Sequence, residues 1–292
     1  MISVDDLYSP ALIHSVNGLA LVSRTIVDTY LSGVNHSIRT GFGMEFSQYR
    51  RYQPGDDLRM LDWKLAARRE KLYVRQSEIE SNTSILFVLD TSASMQQQTD
   101  AISKLDTARI LISTLAYIGN RQGDALGLFS VNDHVRQIIP PARKRQQYQQ
   151  MLHQLVHVNC SGKWPENVVI PRKSTDKMMI IVLSDFFQQD NELVKCMIDN
   201  SSSMNDMLCI HISSGLEWNP AVKKGMTMVD LETGHRISFG DSFAIDAYRK
   251  KWQEYHEGIR HRLLENHIRY AQVRTDKSIP QQLKLMLDQH AL

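Results

Sequence analysis

Asp90-Thr91-Ser92-Ala93-Ser94 places a carboxylate and two hydroxyls on alternate residues, directly after an apolar run at 85–89. Such oxygens can converge on a hard divalent cation, and Mg²⁺ suits them because it prefers near-octahedral oxygen ligation and keeps several waters. The loop supplies too few ligands alone. Asp185 offers a second carboxylate in the same setting, just behind the apolar run 178–183. If both runs are strands of one open α/β sheet, the two acids meet at its carboxyl rim, where ligands of such sheets collect. The same Asp and Ser residues can instead cap a following helix by accepting from its free backbone N–H groups. The residues alone leave that alternative open.

The elements that must hold these side chains are legible in the hydrophobic pattern. From Ser84 onward, apolar runs alternate with amphipathic helices, the arrangement of a mostly parallel, doubly wound sheet covered on both faces. Strands are expected at 85–89, 125–131, 135–139, 178–183, 207–212 and 270–274. Leu105, Ala108, Leu111, Ile112 and Leu115 line one face of a helix ending near Gly123, and Tyr148, Met151, Leu152 and Leu155 line the next. Further helices are expected from about 191, over about 242–266, and from Pro280 onward. Glu232-Thr233-Gly234 carries the glycine of a tight turn, so 227–239 reads as a β-hairpin insertion. Upstream, Ser9-Pro10 reads as the N-cap and first residue of a helix of about five turns. A segment dense in both charge signs then runs from Gly41 to about Glu80. The expected organisation is a front module at 1–83 packed on an α/β domain at 84–292.

Composition removes several function classes. Lys and Arg number 34 against 32 Asp and Glu, so no strong field directs the chain to nucleic acid or an anionic membrane. Basic residues of the helix near 248–266 alternate with Glu254, Glu257 and Glu265, as on a solvated face. Cys160, Cys196 and Cys209 are widely spaced, which argues against a zinc ribbon or disulfide framework and for a reducing cytoplasm. No apolar stretch reaches the roughly 20 residues that span a bilayer. A cytoplasmic chain is therefore expected, reaching the inner membrane only through a partner. His153 and His157 lack the intervening glutamate of a zinc protease, and neither a phosphate-binding glycine loop nor a serine nucleophile elbow is present.

Asp90, Ser92, Ser94 and Asp185 resemble the metal-ion-dependent adhesion site of von Willebrand factor A domains, where Asp-x-Ser-x-Ser is joined by a threonine and a later aspartate. The resemblance implies a Rossmann-like α/β fold, a bound Mg²⁺ or other divalent cation, and protein binding rather than catalysis. The ion would keep a position open for an acidic side chain of the partner. Where that family has its threonine this chain reads Asn159-Cys160-Ser161-Gly162-Lys163-Trp164, so Ser161 is the nearest hydroxyl, with Thr175 a distant second. A lost ligand weakens the ion, and Lys163 is placed to replace its charge.

A second resemblance rests on Arg51-Tyr52-Gln53-Pro54-Gly55-Asp56-Asp57-Leu58-Arg59-Met60-Leu61-Asp62-Trp63, with Gly41-x-Gly43 before it and Ala67-Arg68 after. It is similar to the signature of a bacterial domain-of-unknown-function family of A-domain-like proteins encoded beside AAA+ ATPases of the MoxR type. The match continues through Ser94-Met95, Gly123-Asp124 and Asp230-x-Glu232-x-Gly234, over about residues 38–275. It implies an adaptor or co-chaperone that works with such an ATPase on protein clients. Read from the residues, Pro54-Gly55-Asp56 is a tight turn, and Arg51, Arg59, Arg68 and Arg69 with Asp56, Asp57, Asp62 and Glu70 are expected to form an ion-pair network joining front module to α/β domain, with a recognition surface as the alternative. Two other functions stay open: a hydrolase or phosphotransferase using the ion as a Lewis acid, and a metal-free scaffold.

Overall fold

The computed structural model describes residues 8–32, 48–51, 73–76, 83–98, 101–134, 136–171, 178–187, 192–201, 205–218, 227–229, 236–238 and 242–290. Helices α1 (Pro10–Ile13) and α2 (Val16–Ser32) open the chain, and β1 (Gln48–Arg51) and β2 (Tyr73–Gln76) pair as an antiparallel ribbon. The main sheet comprises β3 (Ser84–Asp90), β4 (Ala125–Val131), β5 (Arg136–Ala142), β6 (Met178–Ser184), β7 (Asn205–Ser213) and β10 (Arg269–Arg274). Between β7 and β10, β8 (Thr227–Val229) and β9 (Arg236–Ser238) form the expected hairpin. The flanking helices are α3 (Lys104–Gln122), α4 (Gln147–His157), α5 (Glu192–Asn200), the one-turn α6 (Gly215–Trp218), α7 (Ser242–Glu265) and α8 (Ile279–His290).

Strand order across the main sheet is β10-β7-β6-β3-β4-β5, with every pair parallel except β4 and β5. Counted within the sheet this is 3-2-1-4-5-6, the doubly wound Rossmann-type order. The sequence pattern predicts that α/β fold, and the structure has it. Strand β3 is buried along both faces, which explains its unbroken Ile85-Leu86-Phe87-Val88-Leu89 run. Ile85, Phe87 and Leu89 join one core and Leu86 and Val88 the other, as alternating side chains must. The antiparallel edge strand β5 ends in Pro140-Pro141-Ala142, and proline withholds the N–H that another strand would need.

The opening helix is not continuous. Ser9 makes no side-chain cap, and the chain breaks at His14-Ser15, where Ser15 Oγ accepts from Gly18 N at 3.2 Å and so caps the second segment. A Cβ on Gly18 would stand 2.3 Å from the Leu12 carbonyl oxygen, so only glycine permits this close step. The break turns His14 toward α3, where its Nε2 lies 2.9 Å from Asp106 Oδ1.

Ile13, Leu19, Val22 and Ile26 of α1 and α2 are buried in the same core as Leu111, Ile112 and Leu115 of α3. Removing one such side chain leaves a cavity in the α/β core itself. Leu19→Ala is expected to cost about 2–5 kcal/mol in urea unfolding. A cost below about 1 kcal/mol, with an unchanged denaturant slope, would show α2 to be dispensable packing.

Candidate functional site

Strand β3 leads to β4 on one side and β6 leads to β7 on the other, so the chain direction switches between β3 and β6. At such a point the loops part and leave a crevice beyond the carboxyl ends. Asp90 is the last residue of β3 and Asp185 follows the last residue of β6, so both carboxylates stand at that switch point. Asp90 is wholly buried: its Oδ1 accepts from Ser92 N at 2.9 Å and its Oδ2 from Ser184 Oγ at 2.5 Å. Ser92 Oγ lies 3.1 Å from Ser94 Oγ, and Ser94 Oγ donates to Asp185 Oδ1 at 3.1 Å. The structure therefore joins Asp90, Ser92, Ser94 and Asp185, which are separated by up to 95 residues of sequence, in one buried cluster.

Lys104, at the start of α3, completes the cluster and was not visible as a site residue in the sequence. Its side chain is 1% exposed, and Nζ donates to Asp185 Oδ2 at 2.8 Å and to Glu217 Oε1 at 2.5 Å. Glu217 lies on α6, just beyond β7, with its Oε2 accepting from Ser214 N. Burial opposes the charge on Lys104, yet Asp185 and Glu217 outweigh it and hold the ammonium above its ordinary pKa. Burial pushes Asp90 up to about 6, with the charge of Asp185 adding to the shift. Burial also raises Glu217, more than Lys104 lowers it. Lys163, the residue the sequence nominates to replace a cation's charge, is exposed, whereas the ammonium of Lys104 is buried against Asp185.

The loop carrying Ser161 is stitched to the same rim. Ser161 N donates to Thr91 O, Ala93 N to Gly162 O and Asp133 N to Lys163 O, all between 2.8 and 3.0 Å. Gly162 has φ +60°, and a Cβ there would strike the Asp133 carboxylate, so no other residue fits comfortably. Arg109 anchors the loop's root by donating from Nε to Leu155 O at 2.9 Å and from Nη2 to Val158 O at 2.8 Å. The Ser161 hydroxyl accepts from Asn132 Nδ2 at 3.4 Å, and Asn132 also holds Thr91 through its backbone oxygen and Oγ1. Thr175, Tyr52, Pro54, Gly55, Asp56, Asp57, Arg59, Asp62 and Trp63 lie outside the described residues, and of Arg51 only the backbone in β1 is described.

Residues 48–262 match the family model described as protein of unknown function DUF58. The chain belongs to that family. An uncharacterized protein from Mycobacterium tuberculosis, Rv1480, is 30% identical over 147 residues, which is 50% of this chain and 46% of that protein. This DUF58 chain thus spans about half the length of the curated relatives it matches. Among solved structures, the conserved hypothetical protein BatB from Bacteroides thetaiotaomicron aligns over 70% of this chain and 99% of its own, at 16% identity and TM-score 0.43. The SpRpn10 VWA domain aligns over 69% and 93%, at 9% identity and TM-score 0.39. Among the described residues no helix is long and apolar enough to cross a membrane.

Behind the DUF58 chain's acidic cluster lies a second group that sequence reading passed over. His211, on β7 opposite Ser184, is fully buried with Nδ1 2.6 Å from Tyr270 Oη, and His256 of α7 stacks on it at 4.4 Å between ring centroids. Both His256 nitrogens and Trp252 Nε1 are buried and find no hydrogen-bond partner among the described residues. Burial depresses His256 to about 4 and also holds His211 well below the ordinary histidine value. Below the ordinary histidine value of about 6.5 the unfolded chain takes up a proton that folded His256 refuses until about pH 4. Stability contributed by the neutral ring is therefore lost as pH falls through that window. Asp90, with its raised value, works in the opposite direction, so a variant-to-wild-type comparison is needed to isolate the histidine. His256→Phe keeps the ring, and its stability gain over wild type should be about 2 kcal/mol larger at pH 5 than at pH 8. Equal gains at both pH values in urea melts would show that His256 does not titrate this way.

Proposed function

We propose that this chain is a non-catalytic protein-interaction module whose rim of Asp90, Ser92, Ser94 and Asp185 holds a divalent cation and presents it to an acidic side chain of a partner. The observation that carries the reading is the pair of buried hydroxyls 3.1 Å apart between two carboxylates at the sheet's switch point. Two ligands on adjacent vertices of an Mg²⁺ octahedron, each about 2.1 Å from the ion, are separated by about 3.0 Å. The charge also suits an ion: Asp185 and Glu217 share the ammonium of Lys104, and Asp90 adds a third buried carboxylate on the Asp185 side. No group of three His, Cys, Asp or Glu side chains among the described residues is arranged to hold a metal. An ion here would rest on the serine hydroxyls, with the Ser161 hydroxyl a further candidate ligand and the carboxylates supporting from behind. A bound ion would supply a positive point for a partner carboxylate.

The family signature supports a MoxR-type AAA+ ATPase as the partner, with this chain as its adaptor or co-chaperone toward protein clients. Co-expression of the tagged chain with a MoxR-type ATPase from the same organism tests that assignment. Co-elution in Mg²⁺ and loss of it in EDTA is the expected result. Failure to co-elute in Mg²⁺, with both proteins folded, would remove this ATPase as partner.

A further inference from the structure

We infer that Lys104 is a built-in cation that competes with a divalent ion for Asp185, and so sets how tightly this site takes up metal. The inference rests on the cation reading of the rim. Asp185 divides its oxygens: Oδ1 accepts from Ser94 Oγ and Phe187 N, on the side of the hydroxyl pair, while Oδ2 accepts from Lys104 Nζ. The same carboxylate thus faces the hydroxyls with one oxygen and a buried ammonium with the other. A second positive charge on the hydroxyl side would lie within a few ångströms of that ammonium, in a setting that screens charge poorly. Lys104 has nowhere to withdraw, because its side chain is 1% exposed.

Glu217 regulates the competition from the far side. It shares the ammonium with Asp185, which leaves Asp185 part of its charge for an ion. Glu217 belongs to α6 and is tied there by Ser214 N, while Trp218 Nε1 donates to Ser213 Oγ at 2.9 Å. Any contact that shifts this one-turn helix alters how firmly Lys104 leans on Asp185. Metal affinity at the rim and the position of α6 are consequently coupled through one lysine.

The test is a titration of the purified full chain with Mn²⁺, read by the electron paramagnetic resonance signal of the free ion, with Mg²⁺ as competitor. Wild type, Lys104→Gln and Glu217→Gln are compared, each with its fold checked by circular dichroism. Lys104→Gln is expected to bind Mn²⁺ at least about 10-fold more tightly than wild type. Glu217→Gln, which leaves the ammonium to Asp185 alone, is expected to bind more weakly, and it provides the test if the lysine variant does not fold. Equal uptake by wild type and Lys104→Gln would overturn the role of Lys104 while leaving the cation reading intact. No uptake by either would overturn both. Uptake by Lys104→Gln alone would support the competition and make the wild-type rim ion-independent.

Discussion

Lys104→Met should lower stability in the absence of divalent ions by about 3–5 kcal/mol, more than expected from its hydrophobic packing alone. The lysine is enclosed together with Asp185 and Glu217, whose side chains are 1% and 4% exposed. Removing one partner of a buried ion pair leaves the other charge without compensation, and here two carboxylates are left. Asp185 also faces Asp90, whose own charge is already opposed by burial and by Asp185. Neutralising a second member should relieve part of the damage, so Lys104→Met with Glu217→Gln should be more stable than Lys104→Met alone. Urea melts of the two single variants and the double variant give the coupling directly. A loss under about 1 kcal/mol for Lys104→Met would mean that solvent, not the carboxylates, satisfies the ammonium.

Replacing both hydroxyls, as Ser92→Ala with Ser94→Ala, should separate binding from folding. Ser92 Oγ is hydrogen-bonded to Ser94 Oγ, and Ser94 Oγ donates to Asp185 Oδ1, which keeps Phe187 N as a donor after the change. Asp90 keeps Ser184 Oγ and the Ser92 backbone N–H. The structural cost is thus confined to the bonds of these two hydroxyls, among them that of Ser92 to Asp90, about 1–3 kcal/mol. Partner binding should nevertheless fall at least about 10-fold, because the two hydroxyls are the ligands proposed to touch the ion. Asp90→Ala is the poorer probe, since it strips the acceptor from two buried donors and mixes misfolding with lost binding. Full binding by the double serine variant would assign recognition to another surface.

Much of this architecture was legible because its signals are local. An unbroken apolar run such as 85–89 marks a strand covered on both faces, and a periodic stripe such as Leu105, Ala108, Leu111 and Ile112 marks a helix on that sheet. Asp90 and Asp185 each follow such a run, which sufficed to predict their meeting. Lys104 was hidden for the opposite reason. A lysine at a helix start reads as solvated, and only the tertiary approach of β7 and α6 encloses it with Glu217. His211 likewise reads as an ordinary strand residue until α7 brings His256 over it. The break at His14-Ser15 was missed because the apolar spacing runs on across it. Its cause is the contact that Gly18 alone allows with Leu12, a contact periodicity does not register.

A cation-bridged module recognises its partner only while the divalent ion is present. The direct measurement is quantitative capture by the tagged protein from native lysate in Mg²⁺, in EDTA, and in EDTA followed by restored Mg²⁺. A partner set that is held, lost and regained across the three conditions is predicted, with the double serine variant matching the EDTA sample throughout. The same partners retained in all three conditions would contradict the account and leave Asp90, Ser92 and Ser94 as the structural frame of a metal-free scaffold.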